Sequence, residues 1–182
     1  MILVDNIILK DNPDIRRVAE EVKEPVSEET LNTLKEMIEY LENSLDEETC
    51  TKYGLKPGVG LAAPQIDVNL RMFALDVEDE NGDVFKCGII NPKFLAKSIA
   101  MTYLNGGEGC LSIPDERGIV LRHKRIKFSA LVYDKDSNTL EKKTMTLSGY
   151  KAIVFQHEYD HLDGVLFTDK MTNNPGDAEP CF

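Results

Sequence analysis

Between residues 27 and 45 apolar side chains return every three or four positions, at Leu31, Leu34, Met37 or Ile38, Leu41 and Leu45. That period gathers them on one face of a helix and leaves the charged residues on the other. Ser27 precedes the run as a side-chain cap, and Glu28 and Glu29 set negative charge against the positive end of the helix dipole. The helix is expected to stop before Asp46-Glu47-Glu48-Thr49, with residues 46–57 forming a polar loop that closes on Pro57-Gly58. The pattern then changes. Arg71 to Val77, Val84 to Asn91, Ile126 to Asp134 and Thr139 to Leu147 are short runs rich in apolar or β-branched residues, which predict strands. Asn81-Gly82 parts the first two runs as a hairpin turn, and Asp136-Ser137-Asn138 parts the last two. A second helix is expected to begin near Ser148 and to run through Ala152, Ile153, Val154 and Phe155 to His161 or Leu162, where Gly164 can take the left-handed backbone that ends it.

Strands gathered between two helices predict an α+β fold, with largely antiparallel sheets packed around the helix that carries His157 to His161. No repeat or break in composition divides the chain, so residues 1–171 read as one domain. Residues 172–182 hold the turn-rich run Thr172 to Pro180 and read as a polar, poorly ordered tail.

With 182 residues, 42% hydrophobic and 29% charged, the chain is long enough to bury a core without disulfide staples. A formal charge of −11 argues against a protein that wraps a phosphate backbone, so no specific DNA partner is expected. Cys50, Cys87, Cys110 and Cys181 are scattered, with no CxxC pair, as in a reducing compartment. The first ten residues have no basic start and hold Asp5 within their apolar stretch, unlike a signal peptide or a spanning segment. These features predict a cytoplasmic chain with no membrane partner.

The chemistry concentrates in Gln156-His157-Glu158-Tyr159-Asp160-His161. Histidines four apart leave a helix on the same face and can share one metal ion, and Glu158 beside the first is placed to act as a general base. The plainer alternative is a pair of helix-face histidines paired with neighbouring acids. A catalytic metal site needs a third protein ligand. Cys110, in Gly106-Gly107-Glu108-Gly109-Cys110-Leu111-Ser112, is the better candidate, because glycines let the backbone approach closely and a thiolate suits a borderline-soft ion. Alone it reads as a buried apolar thiol. The third His, His123, has no spacing that recommends it. Gly58-Val59-Gly60-Leu61-Ala62-Ala63-Pro64-Gln65 is a thin backbone wall ending in an amide donor, or simply a tight turn before a strand. Two rivals remain open on the residues alone: a metalloprotease, whose later ligand would be Asp163 or Asp169, and a closed structural metal site.

Taken together and in order, the segments Gly58 to Gln65, Glu108-Gly109-Cys110-Leu111-Ser112 and Gln156 to His161 resemble the three signature motifs of peptide deformylases, and Asn12 to Ala19 is similar to that family's N-terminal segment. The long stretch 46–57 is similar to the branch common in Gram-positive bacteria, while Leu121 stands where members often carry Pro. The resemblance implies that Cys110, His157 and His161 bind one divalent metal with water as fourth ligand. Fe(II) is the expected ion, and nickel, cobalt or zinc its substitutes. It further implies that Glu158 moves the proton, and that the Gln65 amide and the Leu111 backbone N–H steady the developing oxyanion. The substrate implied is the N-formyl-methionyl start of a nascent peptide, added as a strand along Val59-Gly60 and Glu108-Gly109. Val59, Ile153 and Val154 are candidate walls for the methionine side chain, a role they share with ordinary core packing. Arg117, Arg122, Lys124, Arg125 and Lys127 form an acid-free run that reads first as a solvated strand face. Its functional alternative is a transient contact with the ribosome through residues 117–127.

Overall fold

The computed structural model describes residues 1–182. The apolar stripe at residues 27–45 becomes α1, Glu28–Leu45, and the Ser27 side chain accepts a hydrogen bond from the Thr30 N–H. The strands in chain order are β1 Gly60–Ala62, β2 Met72–Glu78, β3 Val84–Lys97, β4 Met101–Tyr103 and β5 Glu108–Cys110. They continue with β6 Ile113–Gly118, β7 Arg122–His123, β8 Arg125–Asp134, β9 Thr139–Ser148 and β10 Glu179–Pro180. A five-stranded sheet runs β1-β2-β3-β8-β9 with every neighbouring pair antiparallel. The final long helix, here α3, spans Gly149–Leu162, with Gly164 in the left-handed region just beyond it (φ 71°).

α1 and α3 cover opposite faces of that sheet. On β2, Met72 and Ala74 join the cluster formed by Leu34, Met37, Ile38 and Leu41 of α1. Alternate residues Phe73, Leu75 and Val77 join Ala152, Phe155 and Leu162 of α3 instead. Side chains alternate across a strand, so a strand buried on both faces is apolar at successive positions, as Met72 to Leu75 are. Phe155 anchors the α3 side, with its ring centroid 5.1 Å from Phe73 and 4.2 Å from Phe128. At Gly88 of β3 a Cβ would strike the Leu34 side chain, so glycine lets α1 seat closely.

A hairpin of β5 and β6 lies outside the main sheet and packs into a small cluster of Ile15, Ile113, Val120, Leu166 and Phe167, with Cys110 against it. This cluster holds the Cys110 segment beside the end of α3.

Two expectations differ from the structure. Residues 46–57 are not all loop, because Glu47–Tyr53 form a short helix, α2. The Asp46 side chain accepts from the Thr49 N–H, and Gly54 ends the helix in left-handed backbone (φ 60°). The apolar period that marks a surface helix is missing there, whereas both caps are present in the sequence. Within residues 172–182, expected as a loose tail, Glu179 to Cys181 lie against β4. β10 pairs parallel with it, Glu179 opposite Thr102 and Pro180 opposite Tyr103. All four cysteines are free thiols, and no helix is long and apolar enough to cross a membrane.

Candidate metal centre and the cavity beside it

α3 projects His157 and His161 from one face, one turn apart, with ring centroids 5.2 Å from each other. The β5–β6 hairpin brings Cys110 to them. One ligand atom from each of Cys110, His157 and His161 lies within 4.8 Å of the others, and Cys110 Sγ is 3.4 Å from His161 Nε2. Bonds of ordinary length to a tetrahedral ion would set such a sulfur and nitrogen about 3.5 Å apart. The cluster therefore fits a divalent cation of the zinc and iron type. The remaining donors agree: His157 turns its Nδ1 to Glu108 Oε1 at 2.8 Å, which leaves Nε2 for an ion. Asp163 and Asp169 stay out of the cluster, paired with Arg71 and Arg16. His123 does too, with its Nδ1 2.7 Å from Ser98 O.

Behind the first histidine stands a charged chain. Arg122, only 2% exposed, donates from Nε and Nη2 to the two Glu108 oxygens at 2.9 and 2.8 Å, and from Nη1 to Asp160 Oδ2. Lys170 closes the chain on the other Asp160 oxygen at 3.0 Å. Burial opposes ionisation of Glu108, but the hydrogen bonds from Arg122 and His157 outweigh it and hold the carboxyl at about 2. Burial likewise resists charge on His157, whereas Cys110 and Glu108 hold that ring well above the ordinary imidazole range. Burial and the neighbouring His157 push His161 well below it. A cation bound by the three would displace the His157 proton.

Glu158 differs from these acids. Its side chain is 3% exposed, Oε2 has no partner, and burial pushes the carboxyl up to about 7. It lies directly against Gly60 of β1, where any Cβ would overlap Oε1. An orphaned buried carboxylate oxygen beside a donor set of this kind is what a water or an ion would satisfy.

Glu158, His157 and Cys110 form one end of a cavity of about 570 Å³. Val59, Gly60, Gln65, Glu108, Gly109, Leu111, Ile153 and Val154 also line it, so the structure gathers these predicted residues around one space. His161, 1% exposed, sits behind the lining. Gln65 is held in place, its Oε1 accepting from the Ala62 N–H at 2.9 Å and its Nε2 donating to Ser112 Oγ at 3.1 Å and Cys110 Sγ at 3.4 Å. Gly58 is pressed by Leu111, whose Cδ1 would stand 3.0 Å from a Cβ there.

The run Arg117 to Lys127 is corrected in part. Arg122 is buried, and Arg117 sits at the cavity rim, donating from Nη2 to Gly107 O at 3.3 Å. Arg117, Lys124, Arg125 and Lys127 are exposed, so Arg122 alone departs from a solvated face. Arg122, Asp160, Ser112, Leu104 and Tyr150 are site neighbours that the residue patterns missed. The one local hint for Arg122 is the apolar triplet Ile119-Val120-Leu121 before it.

Residues 4–175 match the family model described as polypeptide deformylase. The chain is 46% identical over 172 residues to a peptide deformylase of Shouchella clausii, which covers 94% of this chain and 91% of that one. It is also 46% identical over 178 residues to peptide deformylase 2 of Geobacillus stearothermophilus, covering 97% and 93%. Among solved structures it is similar to the crystal structure of peptide deformylase from Thermotoga maritima, with a TM-score of 0.70 and 34% identity over 91% of this chain and 96% of that chain.

Proposed function

The chain belongs to the polypeptide deformylase family and removes the N-formyl group from newly made polypeptides, and we propose that the residues gathered around Cys110, His157 and His161 carry out that reaction. One observation supports this most: three metal-ligating side chains converge beside a buried carboxylate, Glu158, that has an unpartnered oxygen at the end of a cavity.

The family is metal-dependent, and a thiolate with two imidazoles suits Fe(II), with nickel, cobalt or zinc as substitutes. Held there, the ion supplies Lewis-acid polarisation and acidifies a neighbouring water. Glu158 takes a proton from the attacking water, and its carboxyl, pushed up to about 7, is matched to proton transfer at neutral pH. As oxygen adds to the formyl carbon, charge grows on the formyl oxygen. Gln65 Nε2, already aimed at Cys110 Sγ, and the Leu111 N–H hold that charge. Glu158 then delivers its proton to the leaving amine, so the products are formate and a peptide with a free N-terminus. Main-chain groups at Val59-Gly60 and Glu108-Gly109 take the peptide as an added strand, since β1 is an edge of its sheet. Val59, Ile153 and Val154 receive the methionine side chain.

Residues 117–127, whose exposed cations are Arg117, Lys124, Arg125 and Lys127, are proposed to make transient contact with the ribosome, with no membrane or specific DNA partner. Four free thiols fit a cytoplasmic setting. Residues 1–171 act as one catalytic domain.

The test is formate release from formyl-Met-Ala, assayed anaerobically with Fe(II), abolished by chelation and restored by adding the ion back. Glu158→Ala is expected to keep its metal while kcat falls by about a hundredfold to ten-thousandfold. Parent-like turnover in that variant would remove Glu158 from the mechanism.

A further inference from the structure

Residues 179–182, which run along β4 after α3, contribute nothing to the three apolar clusters, yet they touch two walls of the cavity. The Cys181 N–H donates to Tyr103 O at 2.8 Å, and Thr102 Oγ1 donates to Glu179 O at 3.0 Å. These bonds tie the segment to β4 immediately before Leu104, which lines the cavity. The Phe182 ring meets Tyr150 edge-on, with centroids 5.4 Å apart, and Tyr150 also lines the cavity.

Tyr150 has a particular place on α3. Tyr150, Ile153, Val154 and His157 follow one another at helical spacing, so they form one strip along the cavity wall. At 1.5 Å per residue, Tyr150 stands about 10 Å along the axis from His157, at the end of the strip away from the metal ligands. The helix is weakly fixed there. Ser148 makes no side-chain cap bond, and Gly149 lies in left-handed backbone (φ 62°). The segment supplies what this end lacks: Cys181 Sγ lies over Gly149, and Phe182 braces the Tyr150 ring. Phe182 itself stays 61% exposed and outside the cavity lining, so any effect it has on substrate passes through Tyr150.

We propose that residues 179–182 are a positioning segment of the substrate site: by fixing Leu104 and Tyr150 they set the far wall against which the methionine side chain is selected. The inference rests on the deformylase reading. A long side chain on the formylated residue reaches that wall, and a methyl group does not.

The experiment compares kcat/KM for formyl-Met-Ala-Ser and formyl-Ala-Ala-Ser in the Fe(II)-loaded parent, Phe182→Ala, Phe182→Tyr and Thr102→Val. In Phe182→Ala the methionine peptide is expected to lose about threefold to tenfold in kcat/KM, carried by KM, the scale of one aromatic pair. The alanine peptide stays within about twofold, so the preference for methionine narrows. Phe182→Tyr restores the preference, and Thr102→Val narrows it less than Phe182→Ala. Iron content and melting temperature, measured alongside, stay at the parent's values. Equal losses on both peptides, or an unmoved preference in both Phe182→Ala and Thr102→Val, overturn the inference. A parent that releases formate from neither peptide overturns the deformylase reading, and this inference with it.

Discussion

α1 and α3 press on opposite faces of one sheet, and they are specified in different ways. α1 buries Leu34, Met37, Ile38, Tyr40 and Leu41 on one side and exposes Glu28, Glu29 and Glu36 on the other. Its cap and stripe lie within its own residues. α3 buries Gln156, His157, Glu158 and His161 together with Phe155 and Leu162, so almost no face of it is free. Each of those polar groups needs a partner from elsewhere in the chain. Gln156 holds the backbone of His123, His157 holds Glu108, Asp160 holds Arg122, and His161 meets Cys110. Glu158 Oε2 and His161 Nδ1 are left without a partner. Buried polar groups destabilise unless they are satisfied. The helix that carries the proposed site is therefore the one whose fit depends on distant segments, while the other helix is close to self-sufficient.

The hardest way to break that contrast is Arg122→Leu. It leaves the Glu108 carboxylate buried without its main partner, so unfolding free energy is expected to fall by about 3–5 kcal/mol. With Glu108 no longer steady, metal affinity should drop by about tenfold to a hundredfold, read by competition with a chelator. Urea unfolding close to the parent's would mean that the chain behind His157 is not under tension. Next comes Leu34→Ala on the α1 side, where a fully buried side chain seated over Gly88 is removed. The expected loss is about 2–5 kcal/mol of stability, with metal affinity unchanged once the protein is folded. A large loss of metal affinity here would erase the distinction between the helices.

A subtler test uses acid. Glu108 is held at about 2 against an ordinary 4.5, and a lowered carboxyl stabilises the fold above its unfolded value. That contribution is intact above about pH 5 and disappears as pH falls from about 4.5 to about 2. In Glu108→Gln, the metal-free protein should therefore show a flatter loss of stability across that window than the parent. Parallel acid titrations would contradict the assignment. The smallest effect belongs to Ser27→Ala, which deletes the α1 cap. About 1 kcal/mol of stability should go, with formate release and iron content untouched.

The same contrast explains what could be read from the residues. α1 was legible to its cap because its instructions are local. The hairpin strands followed from β-branched runs and from turn residues such as Asn81-Gly82, where Gly82 takes φ 81°. α2 was missed because its seven residues carry no apolar stripe, although Asp46 and Gly54 marked its ends. Cys110 and the two histidines could be matched by residue type. Arg122 could not, since one more cation in the sequence Arg-His-Lys-Arg looks solvated until Glu108 and Asp160 are seen to close on it. The placement of residues 179–182 was equally hidden, because Glu-Pro-Cys-Phe after a turn-rich stretch says nothing about which edge strand will receive it.

The thiol and the two imidazoles lie on segments far apart along the chain, and this has a temporal consequence. A polypeptide made from its N-terminus exposes Cys110 well before His157 or His161 exists. Through that interval the sulfur lacks its nitrogen partners, so a growing chain cannot assemble the proposed cation site until α3 has emerged and packed. On the proposed ligand set, loading waits for α3, and a chain that has not yet reached it carries an unguarded thiol.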